Sequence, residues 1–364
     1  MGFLQGPLTN VNQLSPADPA VDASFAAVVP VMTSDDPGRS IDTVLPAIQA
    51  ADPERIVVPA RGDRESVAAL AARVHSATDR ASVLWCNSPS LEALVASHGI
   101  DEAGKGADVW LALGLAAEAA DVVCCVDADV ASLTPSAVRR LVAPIDESIL
   151  AAKAWYTRVE EGRLYGRLCR LLVGPLVLAL ADRHDHPFLD YLRAFRYPLA
   201  GEIALHGRLV DELRVPTGMG LEVGTLGELF RLVGPDGTAQ VDLGNHRHDH
   251  RPIDGDGGLV GIAPAVSGAL AELIDQHVGA GFDDDLADSY AAWATRLVDR
   301  YERDARLNGL EYDANDELEQ VNRYRDAVAD PAAVSWTPSW SSATFTPAEV
   351  LEAGRPPGIA SADR

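Results

Sequence analysis

The stretch Asp121-Val122-Val123-Cys124-Cys125-Val126-Asp127-Ala128-Asp129 decides the architecture. A short, uninterrupted apolar run closed by charged residues reads as a strand buried on both faces, the kind found in parallel sheets. We place that strand at Asp121–Val126. In open α/β sheets ligands bind outside the carboxyl ends of the strands. Asp127 and Asp129 stand at that end, spaced so that both can reach one hard cation. Mg²⁺ and Mn²⁺ take oxygen ligands and often link one or two carboxylates to substrate phosphates.

Outward from this strand the pattern repeats. Ala107–Ala120 precedes it as an amphipathic helix. Earlier apolar runs at Phe25–Val31, Arg55–Pro59 and Ala81–Asn87 read as strands, with helices at about Ser40–Ala50 and Ser66–Ser76 between them. Strands alternating with helices predict βαβ units, a mostly parallel sheet flanked by helices and a Rossmann-like α/β fold. The polar loops Thr33–Asp36 and Ala60–Asp63 then fall at the same edge as Asp127. Residues 1–22 read as an irregular arm, 23–150 as the half with alternating strands and helices, 151–257 as a half of mixed pattern rich in glycine and basic residues, and 258–364 as a helical C-terminal region with a tail. Within that last region Asp285–Asp304 and Asn315–Ala329 are the clearest helices, and Trp336, Trp340 and Phe345 are placed to anchor the tail on the body or on a second subunit.

Composition narrows the function. The 364 residues are 47% hydrophobic, enough for a sizeable core, and carry 30 basic against 54 acidic residues, a net charge of −24. Nucleic acids and anionic membrane surfaces are therefore unsuited partners, since both need clustered cations. Lys105 and Lys153 are the two lysines; the other basic residues are arginines. Abundant acid with almost no lysine resembles proteins of extreme halophiles, where molar salt shortens the Debye length to about 3 Å. In such a chain most carboxylates are solvated surface, and one needs a further reason to be assigned chemistry. Leu171–Ala181 is the longest apolar run seen and is too short for the roughly 20 residues that span a bilayer. Cys86, Cys124, Cys125 and Cys169 lack zinc spacing. With no basic-then-apolar leader at the N-terminus, a cytoplasmic protein is expected.

Three further segments carry chemistry. Gly104-Lys105-Gly106 opens a helix, and a glycine-flanked helix N-terminus suits phosphate. A lysine retained in an arginine-rich chain marks a place for a compact cation. Residues 244–252 (GNHRHDHRP) concentrate imidazoles able to ligate a metal and arginines able to neutralise phosphate. Glu202 and Glu222 each lie among glycines, where a ligand can approach the backbone.

Taken in order, VVPVMTSDD, AGKGADVW, CVDADV, KAWY, GRLCRLLVGPL, PLAGE, VPTGMGLEVG and QVDLGNHRHDHRP resemble the retaining GT-A glycosyltransferases that make glucosyl- or mannosyl-3-phosphoglycerate. The resemblance spans roughly residues 25–255 and extends more weakly beyond. It implies a GT-A fold with a helical C-terminal extension, a homodimer, and transfer of glucose or mannose from UDP-glucose, GDP-glucose or GDP-mannose to D-3-phosphoglycerate. It implies that Pro30, Val31, Met32, Thr33 and Ser34 line the nucleotide with Asp35 beside them. Lys105, Asp127 and Ala128 would meet the nucleotide or its phosphates, and Asp129 with His248 would hold Mg²⁺ or Mn²⁺. Leu199, Gly201, Glu202 and Glu222 would surround the sugar, with Glu222, Arg247 and Asp129 stabilising charge in the reaction. Gly166, Arg167, Cys169, Arg170 and His250 would receive the small anionic acceptor, with Arg163 nearby. The chain departs from the family's pattern at Cys169, where a threonine is usual, at His246, where an arginine is usual, and at Pro59-Ala60-Arg61, where an aspartate commonly follows the second strand. Two other readings use the same fold: a transferase acting on a lipid phosphate or a glycan, and a non-catalytic nucleotide-sugar-binding protein.

Overall fold

The apolar run expected as a strand over Asp121–Val126 forms the strand Val122–Cys125 inside a nine-stranded sheet. The computed structural model describes residues 6–14, 19–33, 39–100, 103–248, 253–255 and 257–359. Its strands are β1 (Thr9–Val11), β2 (Phe25–Val28), β3 (Val31–Met32), β4 (Arg55–Arg61), β5 (Ala81–Trp85), β6 (Val122–Cys125), β7 (Ala151–Thr157), β8 (Val159–Glu160), β9 (Arg163–Leu164), β10 (Ile203–His206) and β11 (Thr238–Asn245). The order across the sheet is β1-β11-β7-β10-β6-β2-β4, with β3 and β5 both pairing β4; β8 and β9 form a separate small ribbon.

Every pairing in the large sheet is parallel except the two made by β10. That reversal positions the site. Ile203 is in register with Cys125 of β6 and Lys153 of β7. Because β10 runs backwards, its entrance, and not its exit, lies at the carboxyl edge of β6. The preceding residues Gly201 and Glu202 therefore meet the start of the Asp127–Asp129 loop. The carboxyl ends of β7 and β11, which run parallel to each other, bring Tyr156 and His246 to that edge as well.

The local reasons are ordinary. β2, β6 and the middle of β4 are buried along their length, as their apolar runs predict. Pro30 has no N–H to give a ladder, and the run expected as one strand over Phe25–Val31 divides there into β2 and β3. Ala60 and Arg61, read as loop, belong to β4 because β3 pairs both of them and β5 pairs Ala60. Thr9–Val11, inside the segment read as an irregular arm, is an edge strand on β11. Several acidic residues are helix caps: Asp63, Asp283 and Asp313 accept backbone N–H groups at the starts of Arg64–Ala77, Asp284–Leu307 and Ala314–Ala329.

Two apolar layers cover the sheet faces. One packs helices Arg39–Ala51, Arg64–Ala77 and Pro135–Val142; the other packs Pro89–Ala96, Lys105–Ala117 and the tail. A third core is built from Gly174–Arg183, Pro187–Ala194, Leu221–Leu232 and the three long C-terminal helices. One of these, Leu259–Val278, is long and apolar enough to cross a membrane, though half of it is buried in this core. It is longer than the longest apolar run read from the sequence because Ser267, Glu272, Asp275, Gln276 and His277 break its apolar residues into shorter runs. The tail anchors on the body. Trp340 stacks on Trp110 at 4.7 Å and donates its indole N–H to the Trp110 carbonyl, and Phe345 is buried beside them.

Candidate active site

Lys105 sits at the start of the helix Lys105–Ala117 and points to the carboxyl edge of the sheet. Its Nζ donates to Asp127 Oδ1 and to Glu222 Oε1, each at 2.9 Å. Asp127 comes from the loop after β6, and Glu222 from the first turn of Leu221–Leu232. Burial opposes a charge on Lys105, but the two carboxylates win and hold its amine well above the usual lysine range. Gly201 closes against this triad, since a Cβ there would lie 2.1 Å from Asp127 Oδ2.

The flanking glycines do something other than cradle phosphate. The N–H groups of Gly104 and Ala107 both donate to the Thr217 carbonyl at 3.0 Å. A Cβ on Gly106 would lie 1.8 Å from the Pro216 carbonyl oxygen. These glycines let the segment Pro216–Gly218 pack on the helix start, which fixes Lys105.

A second pair lies farther along the loop. His248 Nδ1 is 3.5 Å from Asp129 Oδ1. Their backbones are tied: Val130 bridges His248, Ala131 N–H donates to the Arg247 carbonyl at 2.9 Å, and Arg247 N–H donates to Ser132 Oγ at 2.9 Å. Burial pushes the His248 pKa down, but the Asp129 and Glu202 carboxylates leave it raised. His246 behaves oppositely. Burial, aided by His248 and Arg158, lowers its pKa to about 3, so it is neutral. Tyr156 fills the space between, its ring 4.5 Å from His246, 5.3 Å from His248 and 4.8 Å from Tyr197.

Glu202 is fully buried beside these groups, facing the Tyr156 hydroxyl. Burial raises its carboxyl pKa, with His248 pulling the other way. The Nε2 atom of His248 is buried and has no hydrogen-bond partner among the described residues. One carboxylate and one imidazole, with facing atoms 3.5 Å apart, fit the two protein ligands of a divalent cation whose bonds are about 2.1 Å long.

Of the residues expected to line the nucleotide, Val31 and Thr33 are buried and Met32 is exposed; Thr33 N–H donates to the Arg61 carbonyl. Pro30 and Leu199 are half-buried and Ala128 is buried. Ser34, Asp35 and His250 lie outside the described residues. The Arg247 side chain is exposed, and the segment uses its backbone.

The acceptor side differs from expectation. Gly166 has φ +76°, and its Cα faces the Tyr197 hydroxyl, which a Cβ would approach to 2.9 Å. Cys169 is buried and its thiol pKa is pushed up to about 12 by burial. Arg167 donates to Gln320 at 3.0 Å and pairs with Asp316. Arg170 forks onto both oxygens of Glu317, at 3.0 and 2.6 Å, under the Tyr301 ring. Arg163 pairs with Glu311 at 3.0 Å. All three arginines thus face carboxylates of the C-terminal region, a pairing across some 150 residues of chain with no local sequence mark.

Two residues were missed by sequence reasoning. Arg158 lies just beyond β7, electrostatically coupled to Asp129, Tyr156 and Tyr197, and its buried Nε has no hydrogen-bond partner among the described residues. Lys153, within β7, is 1% exposed. The sign that could have found Lys153 was its rarity.

No protein-family model matches the chain. Glucosyl-3-phosphoglycerate synthase of Methanococcoides burtonii is 30% identical over 287 residues, which is 72% of this chain and 70% of the relative. The chain belongs to the glucosyl-3-phosphoglycerate synthase family. The enzyme of the same name from Persephonella marina is 29% identical over 71% of this chain and 70% of its own. Among solved structures, glucosyl-3-phosphoglycerate synthase from Mycobacterium tuberculosis in complex with Mn²⁺, UDP and phosphoglyceric acid superposes with TM-score 0.55 at 25% identity, over 74% of this chain and 87% of that one. Mannosyl-3-phosphoglycerate synthase from Rubrobacter xylanophilus shares the fold, with TM-score 0.56 at 24% identity over 75% of this chain and 82% of that one. As a member of the glucosyl-3-phosphoglycerate synthase family the chain is a glycosyltransferase with a GT-A fold, a helical C-terminal region, and a mixed, mostly parallel sheet.

Proposed function

We propose that this enzyme transfers glucose from UDP-glucose to D-3-phosphoglycerate with retention of configuration, using Mn²⁺ or Mg²⁺ held by Asp129 and His248. The convergence of Lys105, Asp127 and Glu222 beside the Asp129–His248 pair, at the edge where β10 reverses, carries this reading. The relative whose structure contains Mn²⁺, UDP and phosphoglyceric acid supports it.

A divalent ion bound at Asp129 and His248 supplies positive charge for the diphosphate leaving group. Asp127 and Lys105 orient the nucleotide's ribose and phosphates, with Thr33 and its neighbours along the base. Glu222, steadied by Lys105, offers negative charge where the anomeric carbon becomes oxocarbenium-like. The sugar–phosphate bond breaks with its electron pair going to the diphosphate. The acceptor hydroxyl forms the new bond from the same face, and its proton passes to the departing phosphate oxygen. Such a path needs no side-chain base, which agrees with Glu222 being committed to Lys105. Arg158, whose side chain also bonds the Tyr197 hydroxyl, receives an anionic group of the acceptor, because its Nε has no hydrogen-bond partner among the described residues while Arg167 and Arg170 are engaged with carboxylates.

The test is product formation from UDP-glucose, GDP-glucose or GDP-mannose, each with and without D-3-phosphoglycerate, in Mn²⁺ and at both low and molar KCl. Phosphoglycerate-dependent release of UDP, lost in Asp129→Ala and His248→Ala, is the expected result. Donor hydrolysis indifferent to phosphoglycerate would overturn the acceptor. It would favour the reading in which a lipid phosphate or glycan is glycosylated, for which the neutralised Arg167 and Arg170 speak.

A further inference from the structure

Both lysines of the chain line one cavity, together with Asp127 and Glu222. Arginine supplies every other basic side chain, so two ammonium groups meeting at one place is not a matter of usage. Lys105 is explained by its two bonds. Lys153 is not. It stands on β7, its backbone paired in register with Ile203 and Gln240, and is fully buried, with no hydrogen bond from its amine to any described residue.

Removing an ammonium from water without giving it a hydrogen-bond partner is unfavourable, so its presence here calls for a use. Apart from Thr225, whose hydroxyl is bonded to the Leu221 carbonyl, the rest of the wall is apolar, including Val109, Leu113, Ile203 and Leu221, so methionine would suit the site better on packing grounds alone. Arginine would not replace lysine here. Its planar fork is bulkier and brings five donors needing partners, whereas an ammonium is compact. Burial lowers the Lys153 pKa, and the attraction that most opposes this comes from Glu222, then Glu202. Glu222 thus has one cation bonded to it at the partly exposed mouth and a second on the interior side.

We infer that Lys153 is a positioning residue for the sugar-facing carboxylate: its amine draws on Glu222 from within while Lys105 holds it from the mouth, so that the carboxylate keeps its place as the anomeric carbon becomes cationic. The inference rests on the transferase reading above. Lys153 touches neither acceptor nor nucleotide in this scheme; it acts through Glu222.

The experiment compares the full chain with Lys153→Met and Lys153→Ala. Melting temperature, UDP-glucose affinity in Mn²⁺, and kcat and KM for the donor are measured. Lys153→Met should melt at or above the parent's temperature, since an unpaired buried charge is gone, and should keep donor KM within about threefold. Its kcat should fall roughly hundredfold, the effect of losing one preorganised electrostatic group. Ethylammonium added to Lys153→Ala should restore about tenfold of the loss, and methylated quaternary ammonium, which cannot donate, should restore less. A Lys153→Met enzyme with kcat within about threefold of the parent overturns the inference. So does a melting temperature that falls with activity and an alanine variant deaf to ethylammonium, because both mark a purely structural lysine. A parent that releases UDP without responding to phosphoglycerate overturns the acceptor assignment alone, and the same variants are then read by donor hydrolysis.

Discussion

Replacing Lys105 by methionine isolates the electrostatics of the site. The Nζ atom lies 2.9 Å from both Asp127 Oδ1 and Glu222 Oε1, so those oxygens are less than about 6 Å apart. The side chains of Lys105, Asp127 and Glu222 are 21%, 21% and 12% exposed, so water screens them only in part. Without the ammonium the two carboxylates repel. At an effective dielectric constant of about 20, two unit charges about 6 Å apart repel by about 3 kcal/mol, in line with the 3–5 kcal/mol or so lost when one partner of a buried pair is removed. Lys105→Met should therefore unfold roughly 5 °C lower at pH 8 in a scanning calorimeter, taking the ~2 °C per kcal/mol expected of a large domain. Adding Glu222→Gln should recover most of the loss, since the repulsion needs both charges, while activity stays abolished. Molar KCl should leave most of the gap, as it screens exposed charges far more than part-buried ones. A single variant as stable as the parent, or a double variant no better than the single, would refute the reasoning.

Three further outcomes follow from the geometry. His246 stays neutral in the fold down to about pH 3, whereas in the unfolded chain it protonates near 6.5. The unfolded state therefore binds the extra proton between those values. Stability should be lost as pH falls through that window, at up to about 1.4 kcal/mol per pH unit from this residue, and His246→Phe should flatten the acid limb of a denaturant-midpoint profile. Arg158→Gln should raise the KM for phosphoglycerate about 10- to 100-fold with donor KM unchanged, the loss of one charge-assisted contact, as steady-state kinetics would read. Trp340→Ala should destabilise by about 3–5 kcal/mol. It removes the stack on Trp110 and the bond to the Trp110 carbonyl, and a thermal melt would register both.

The first half of the fold was legible because a parallel strand buried on both faces spells itself as a continuous apolar run. Val122–Cys125 and Phe25–Val28 are of this kind. The four-residue Ile203–His206 was not, since its place between β6 and β7 is set by register with residues far away in sequence. Asp127 and Lys105 could be singled out by position and rarity, and the structure joins them. The glycines around Lys105 were assigned to phosphate, yet they serve close backbone packing against Pro216–Gly218. The arginines at 163, 167 and 170 looked available because their partners at 311, 316 and 317 belong to another stretch of chain. Burial of Glu202 and the unpaired Nε of Arg158 are properties of the assembled edge, and no window of sequence contains them.

The route of the tail has a consequence for how the enzyme is made. Thr217 accepts the N–H groups that fix the Lys105 helix, and Thr217 is itself held by its N–H bond to the Ser335 carbonyl, while Thr337 N–H bonds Val215 on the same segment. The ribosome delivers Lys105 long before Ser335, a wait of roughly 10–50 s at ordinary rates of synthesis of about 5–20 residues per second. Until the tail emerges, strands β2, β4, β5 and β6 can pair, but the segment 215–218 that backs the lysine bridging Asp127 and Glu222 lacks its own bonds to Ser335 and Thr337. Nascent chains arrested before residue 335 should therefore hold their sheet and fail to bind nucleotide-sugar.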